Sequence, residues 1–310
     1  MDDSAASKPA EPIVAAGTGL AHVDLPGLFH AADRASLIGQ NATLRWNRVR
    51  LVGAVAAATG GAFSWAVAQI DGWAAVSLAG FIAALIAELM LLVQQPERDW
   101  YAGRAVAEST KTLTWKYSVA GAPFIETLPG SKARKLFVDR LEVVSAKGRD
   151  RIVVPSSLPA AVTGAMTALR GEPLSVRKAV YLRDRISDQQ EWYARKAAWN
   201  KNRATVWRLV LIVGEVVAVA VAAGRMFGAW HTDWSGILAA VVASGAAWLG
   251  LKQHSELASA YSIAANELAM ATERLREASE DDWPHAVADA EEAISREHTM
   301  WLASRSDRSA

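Results

Sequence analysis

The sequence predicts an all-α integral membrane protein: two two-span helical hairpins, four transmembrane helices in all, continuous with a cytoplasmic helical bundle. Three observations predict it. Apolar residues make up 52% of this 310-residue chain and gather into two blocks, Leu51–Val93 and Leu209–Leu251. A short polar turn interrupts each block near its middle. Lys and Arg crowd the outer ends of the blocks and are nearly absent from the turns, the asymmetry that membrane insertion imposes. Composition also excludes some chemistry. Lys and Arg number 33 against 32 Asp and Glu, a net charge of +1, so no basic excess exists to neutralise phosphates and nucleic acid is not expected as a direct partner. The chain has no cysteine, which excludes disulfides, thiolate metal sites and a cysteine nucleophile.

The elements follow in order. Residues 1–26 are rich in Ala, Pro, Ser and Asp, with no basic stretch leading into an apolar core, and read as a disordered leader. The first unit covers 27–150. Leu51–Ile70 carries no charge and reaches the length of about 20 residues that crosses about 30 Å of hydrocarbon. Asp71-Gly72 forms a tight turn, and Trp73–Val93 returns with Glu88 as its only charge, ended by Gln94-Gln95-Pro96. A helix from Pro96 to Tyr117 opens with the acidic Glu97 and Asp99 and stops at Gly121-Ala122-Pro123. Ser131–Ala146 and Ser157–Leu169 read as two shorter helices, with a strand-like Ile152-Val153-Val154 between them and a connecting segment over 151–175. The second unit covers 176–305. One helix is expected from Val176 through Trp207, unbroken into a third span at Leu209–Trp230 that contains Glu215 and Arg225. His231-Thr232-Asp233 turns the chain into a fourth span, Trp234–Leu251, expected to continue as helix to about Ala278. Asp281, Asp282 and Pro284 start a last helix with Ala286, Ala290, Ile294 and Trp301 on its apolar side.

Arg45, Arg48 and Arg50 precede span one, Arg98 and Arg104 follow span two, five cations from Arg195 to Arg208 precede span three, and Lys252 follows span four. The hairpin tips offer Arg225 alone. Both termini and the region 94–208 are therefore expected in the cytoplasm, with the chain multi-pass in the inner membrane. The competing arrangement, two hairpins buried in a large soluble core, fits this flanking charge poorly. Asp33-Arg34-Ala35-Ser36 is echoed by Asp184-Arg185-Ile186-Ser187, and Asn47-Arg48-Val49-Arg50 by Asn200-Lys201-Asn202-Arg203, each about 150 residues on. With the matched order of parts, this reads as an internal duplication.

Certain short words stand in order around the hairpins. The first half has Arg98-Asp99-Trp100-Tyr101, Arg104 to Ser109 with Glu108, Thr114-Trp115-Lys116-Tyr117 and Pro123-Phe124. The second has Tyr181-Leu182-Arg183-Asp184-Arg185, Asp188-Gln189-Gln190, Trp192-Tyr193, and a closing run Ala290 to His298 that includes Glu291 and Glu297, with Trp301 beyond it. On these residues the chain resembles the SLATT superfamily, the SMODS- and SLOG-associating two-transmembrane effector domains, in two tandem copies of different subtype. The resemblance implies an effector of bacterial nucleotide-signalling conflict systems that forms pores or perturbs the bilayer when a sensor fires. A cytoplasmic sensor or nucleotide-signalling protein is the partner it implies. It brings no catalytic residue.

Glu88 and Glu215 are the candidate pore-lining or gating residues. A carboxylate inside hydrocarbon is costly unless it is paired, protonated or facing water, and both lie at similar depth, roughly 9–10 Å in from the cytoplasmic ends of their spans. They could face one polar path, or each could pair with a flanking Arg. Small residues at Ala220, Gly224 and Gly228 and at Gly236, Ala240 and Ser244 repeat every fourth position, which suits close helix packing, within the chain or between copies of a homo-oligomer. The histidines form no recognisable metal site, and no nucleophile elbow or phosphate loop is present. No enzyme, catalytic residue or cofactor is expected; the partner that needs none is the lipid bilayer. A non-conducting membrane scaffold is the alternative function.

Overall fold

The computed structural model describes residues 19–67 and 70–306, and the side chains of these except 66, 67, 70 and 296–306. The leader therefore lies largely outside the described residues. The described residues are mostly helical: α1 Gly27–Ala62, α2 Gly72–Gln94, α3 Pro96–Ser118, α4 Gly130–Ala146, α5 Gly164–Gly171, α6 Leu174–Tyr181, α7 Asp188–Met226, α8 Trp234–Lys252, α9 His254–Glu277 and α10 Trp283–Ser306. The backbone between α6 and α7, Leu182–Ser187, is π-helical, so helix runs without interruption over Leu174–Met226. Among the described residues, three helices are long and apolar enough to cross a membrane, one ending in α7 and the others carried by α2 and α8.

Contacts divide the chain into two compact units that do not follow chain order. The first combines Ala105–Tyr193 with the described parts of Met1–Ala32 and Ile263–Ala310; the second combines Asp33–Arg104 with Ala194–Ser262. Each therefore draws on both halves of the duplication.

The first unit has an ordinary polar exterior and an aromatic and aliphatic core. Tyr117, Phe124 and Phe137 stack with centroids 5.1–6.0 Å apart, and Met166, Leu169, Ile186, Leu268 and Leu275 are fully buried in the same unit. Trp283 is 1% exposed, and its indole N–H donates to the Val119 carbonyl at 2.8 Å. Arg170 ties the loop after α3 by donating to the carbonyls of Tyr117, Phe124 and Ile125.

The second unit holds the apolar arms. Of the most apolar stretch of each helix, 11% is buried in α2 and none in α7 or α8. Leu78, Phe81, Leu85, Leu209, Ile212 and Val216 all point outward, a surface that water would not tolerate and lipid tails would. The two hairpins differ in packing. At Gly53 and Gly80 the backbones of α1 and α2 touch: a Cβ on Gly80 would lie 2.6 Å from the Gly53 carbonyl oxygen and from the Ala57 nitrogen. The Ser77 hydroxyl donates to the Ala57 carbonyl at 3.0 Å. In the second hairpin the glycines meet only side-chain tips, Gly214 that of Val242 and Gly245 that of Leu211.

Several expectations need correction. The first arm is helical only to Ala62; after Gly60-Gly61, poor helix formers, the run expected to span to Ile70 becomes a hairpin tip in which Ala66 and Val67 pair with Asp71 and Ile70. The Asp71 carboxylate fixes that tip by accepting from the Trp65, Trp73 and Ala74 N–H groups. Span three stops at Met226, short of Trp230, because Gly228 turns at φ +79°. Span four does run on as helix to Glu277, as expected, with one break: Gln253 is left-handed at φ 51° and its N–H caps Leu249. Gln95 does the same between α2 and α3 at φ 45°. Ile152–Val154 is no strand, having no partner, and the helix expected from Ser157 begins only at Gly164, beyond Pro159.

Candidate functional site

Chemistry-bearing side chains converge at two places, one in each unit. In the second unit, α1 presents Asn47 and Arg50 to α2. Asn47 is buried and donates to the Thr43 carbonyl at 2.9 Å, while its oxygen accepts from Arg50 Nη2 at 2.9 Å. Arg50 Nη1 then meets Glu88 Oε2 at 2.8 Å. Glu88 thus has a flanking cation, one of the two arrangements open at the level of sequence. α7 repeats the opening of this motif: Asn200 is buried and donates to the Lys196 carbonyl at 2.8 Å. Its oxygen, however, lies 2.7 Å from His254 Nδ1 instead of an arginine. Glu215 is exposed on α7 and has no hydrogen-bond or ion-pair partner among the described residues.

The small-residue candidates separate. Gly224 receives the indole of Trp230, and Gly236 faces the carboxylate of Asp233, whose oxygen accepts from the Gly236 N–H at 3.1 Å. Gly228 lies beyond the end of α7 with open space where a Cβ would be, so it packs no helix. Ala220 is exposed, and Ala240 and Ser244 are half-buried on α8. The closest helix contact instead runs through Gly53, Ala57, Gly60, Ser77 and Gly80 of the first hairpin. Its spacing of three to four small residues is the same signal, present in the sequence but not singled out there.

The first unit contains a buried ion pair. Arg185 sits on the π-helical turn, 1% exposed, and Glu291 of α10 is fully buried. Arg185 donates through Nε to Glu291 Oε1 at 2.9 Å and through Nη2 to Oε2 at 2.7 Å, a bidentate fork. The Tyr181 hydroxyl donates to Oε1 at 3.1 Å and the Thr112 hydroxyl of α3 to Oε2 at 2.8 Å. One carboxylate thereby joins α3, the α6–α7 helix and α10. Arg185 Nη1 is buried without a partner among the described residues. Burial opposes the Arg185 charge, but the Glu291 carboxylate outweighs it and holds the guanidinium protonated. Burial, reinforced by Glu291, pushes the Tyr181 hydroxyl well above its ordinary value of 10.0. Lys111, one residue from Thr112, is lowered by burial and then by Arg185.

Five of the sequence-motif residues thus meet here: Glu108, Trp115, Tyr181, Arg185 and Glu291. Glu108 acts on Arg185 through its charge, and the Trp115 ring lies 5.8 Å from that of Tyr181. The others are dispersed. Arg98 is exposed at the start of α3, and Trp100 is buried with its backbone against Gly39 and its ring 5.3 Å from Tyr101. Arg104, Gln190 and Trp192 are half-buried, the last packed on the buried Tyr193. Glu297, His298 and Trp301 fall where side chains lie outside the described set. Among the described residues, no group of three or more His, Asp or Glu could hold a metal ion.

Two family models match the chain. Residues 26–178 match the SMODS and SLOG-associating 2TM effector domain 3, a match that takes in the segment after 150, and residues 181–301 match the SMODS and SLOG-associating 2TM effector domain 1. No curated protein and no solved structure matches. The chain therefore belongs to the SLATT family of two-transmembrane effector domains and joins two different subtypes of it in tandem.

Proposed function

We propose that the protein is a membrane-permeability effector of a bacterial conflict or nucleotide-signalling system. It lies multi-pass in the inner membrane with four arms and cytoplasmic termini, and several copies assemble to enclose the path. One observation carries this reading: Glu215, about 10 Å along α7 from Arg208, is exposed on an apolar helix and has no hydrogen-bond or ion-pair partner among the described residues. A bare carboxylate facing lipid costs several kcal/mol; a water-filled path formed with other copies removes that cost. The unburied faces of α7 and α8 leave the area such an assembly needs. No catalytic step is part of this function.

The test is membrane potential, read with a voltage-sensitive dye in cells induced to express the protein at matched membrane abundance. Depolarisation by the wild type, lost in Glu215→Gln and kept in Glu88→Gln, supports the reading. Equal depolarisation by Glu215→Gln refutes the path. A non-conducting scaffold is the second reading, favoured by an open groove of about 930 Å³ between α9 and α10, where Glu277, Asp282 and Asp289 face Met270 and Ala290. A scaffold leaves the potential unchanged in every variant.

A further inference from the structure

The first unit holds a second cavity, an open cleft of about 450 Å³ whose lining shares no residue with the groove between α9 and α10. Tyr117 at the end of α3, Ser131 and Arg134 in the first turns of α4, and Thr167 and Arg170 of α5 form its walls, with Glu126 from the loop after α3. α4 opens after Pro129 and no side chain caps it, so the N–H groups of its first turn find no acceptor within the helix. A helix end alone is hydrated as readily as it binds an anion. The cations on the walls set this one apart.

Arg134 is exposed and, like the Ser131 hydroxyl, has no hydrogen-bond or ion-pair partner among the described residues. Arg170 is held in place: its terminal nitrogens donate to the carbonyls of Tyr117, Phe124 and Ile125 at 2.7–3.0 Å, and its guanidinium lies 5.1 Å from the centroid of the Tyr117 ring. Those bonds use three of the five N–H groups of a guanidinium and bring no full negative charge. Burial first, with Arg177 added, disfavours the charged form of Arg170, against Tyr117 and Glu126. Among the described residues of the lining the one carboxylate, Glu126, is engaged by Arg177. Two guanidiniums therefore share one cleft with no carboxylate in contact with either. Like charges so placed repel, and an anion between them reverses the balance. Guanidiniums suit phosphate and carboxylate alike; the spread of the donors decides between them. They come from α4 on one side and α5 on the other, with N–H groups and a hydroxyl added, and a phosphate monoester offers three oxygens to such a spread where a carboxylate offers two. Helix N-termini favour the same group. The cleft is far larger than a phosphate ion and falls within the range of small-molecule sites, about 300–1,000 Å³.

We propose that this cleft binds a small phosphorylated molecule by its phosphate group. Arg134 and Arg170 take the charge, the Ser131 hydroxyl and the first N–H groups of α4 take the remaining oxygens, and the rest of the cleft holds the body of the molecule. The site does not depend on whether the membrane arms conduct.

The test is equilibrium dialysis of the full chain in detergent against radiolabelled ribose 5-phosphate, ribose or inorganic phosphate, at about 0.15 M ionic strength so that diffuse surface charge is screened. Ribose 5-phosphate binds, inorganic phosphate binds more weakly, and ribose does not bind. Arg134→Gln weakens ribose 5-phosphate about tenfold, the worth of one charge-assisted hydrogen bond, and Arg134→Lys loses less. Lys135→Gln, the exposed neighbour that does not line the cleft, leaves binding unchanged. Ser131→Asp places a carboxylate in the first turn of α4, which favours the helix while repelling the anion, so binding is lost and the thermal midpoint does not fall. The proposal is overturned if neither phosphate compound binds, if Arg134→Gln or Ser131→Asp binds as wild type does, or if Lys135→Gln weakens binding as much as Arg134→Gln. It is also overturned if inorganic phosphate binds as tightly as ribose 5-phosphate, which would make the cleft a site for an adventitious ion only.

Discussion

Replacing Glu291 by Gln removes one carboxylate oxygen charge and leaves the Arg185 guanidinium, 1% exposed, with no anion in contact. Breaking a buried pair from one side costs about 3–5 kcal/mol because the remaining charge is stranded. Gln keeps one oxygen for the Tyr181 or Thr112 hydroxyl but presents an N–H where the other accepted, an unmade hydrogen bond of about 1–3 kcal/mol. The loss expected is therefore about 4 kcal/mol at least. For a unit of this size, at about 2–4 °C per kcal/mol, the midpoint falls by about 10 °C. Arg185→Met alone strands the carboxylate and costs a similar amount, whereas Arg185→Met with Glu291→Gln strands no charge and recovers at least about 2 kcal/mol of the summed losses. The assay is thermal unfolding of the full chain in detergent by circular dichroism, with hydrogen exchange along α10 to locate the change. A shift under about 3 °C for either single variant, or strict additivity in the double, refutes the claim that this carboxylate holds three helices together.

Three further outcomes follow from the geometry. Gly80→Ala forces the backbones of α1 and α2 apart, since its Cβ would lie 2.6 Å from Gly53 O; it should cost about 1–3 kcal/mol, while Gly61→Ala, with nothing within 4 Å, should be neutral or slightly stabilising, as thermal unfolding will show. His254, packed against Asn200 and Trp199 and facing Lys252 and Arg203, is neutral in the folded chain below its ordinary value of 6.5. Its unfolded form takes up the proton first, so stability present above about pH 6.5 is lost as pH falls; midpoints near pH 8 and pH 5.5 should differ less in His254→Gln than in wild type. Glu215→Gln should abolish depolarisation where Glu88→Gln does not; the dye measurement described above checks it.

Much of this architecture was legible because its signals are local. The acidic first turn after Pro96 started α3 where expected, and the helix expected over Ser131–Ala146 is α4 within one residue. Hydropathy failed at helix ends. It counts Phe63–Ile70 as apolar whether the residues are helical or form a tip, and it cannot see that Gln253 turns left-handed between two helices. The ion pair was half legible. Arg185 and Glu291 each stood in a motif word, but 106 positions separate them, and no periodicity links such distant residues. The usable signal was a carboxylate on the apolar stripe of α10, flanked by Ala290 and Ile294, where a charge persists only with a partner.

The two copies have diverged in opposite directions, and the divergence bears on which one moves. Both begin with Trp, Asn and, three residues on, Arg, and in both the Asn donates back one turn. In the first copy that arginine reaches the Asn oxygen and the intramembrane carboxylate, closing a polar chain across a hairpin whose backbones touch at glycine. Sliding such a seam breaks backbone contact and an ion pair together. In the second copy the Asn oxygen has turned to His254, Arg203 lies over Trp199, Gly214 and Gly245 meet only the side-chain tips of Val242 and Leu211, and Glu215 has no partner among the described residues. Displacing α7 against α8 therefore breaks little within the chain, and it changes what Glu215 faces. If permeation is the function, the first hairpin is the fixed support and the second the working one. A cross-link between α1 and α2 should then leave depolarisation intact, whereas one between α7 and α8 should abolish it; the reverse result would assign movement to the wrong copy.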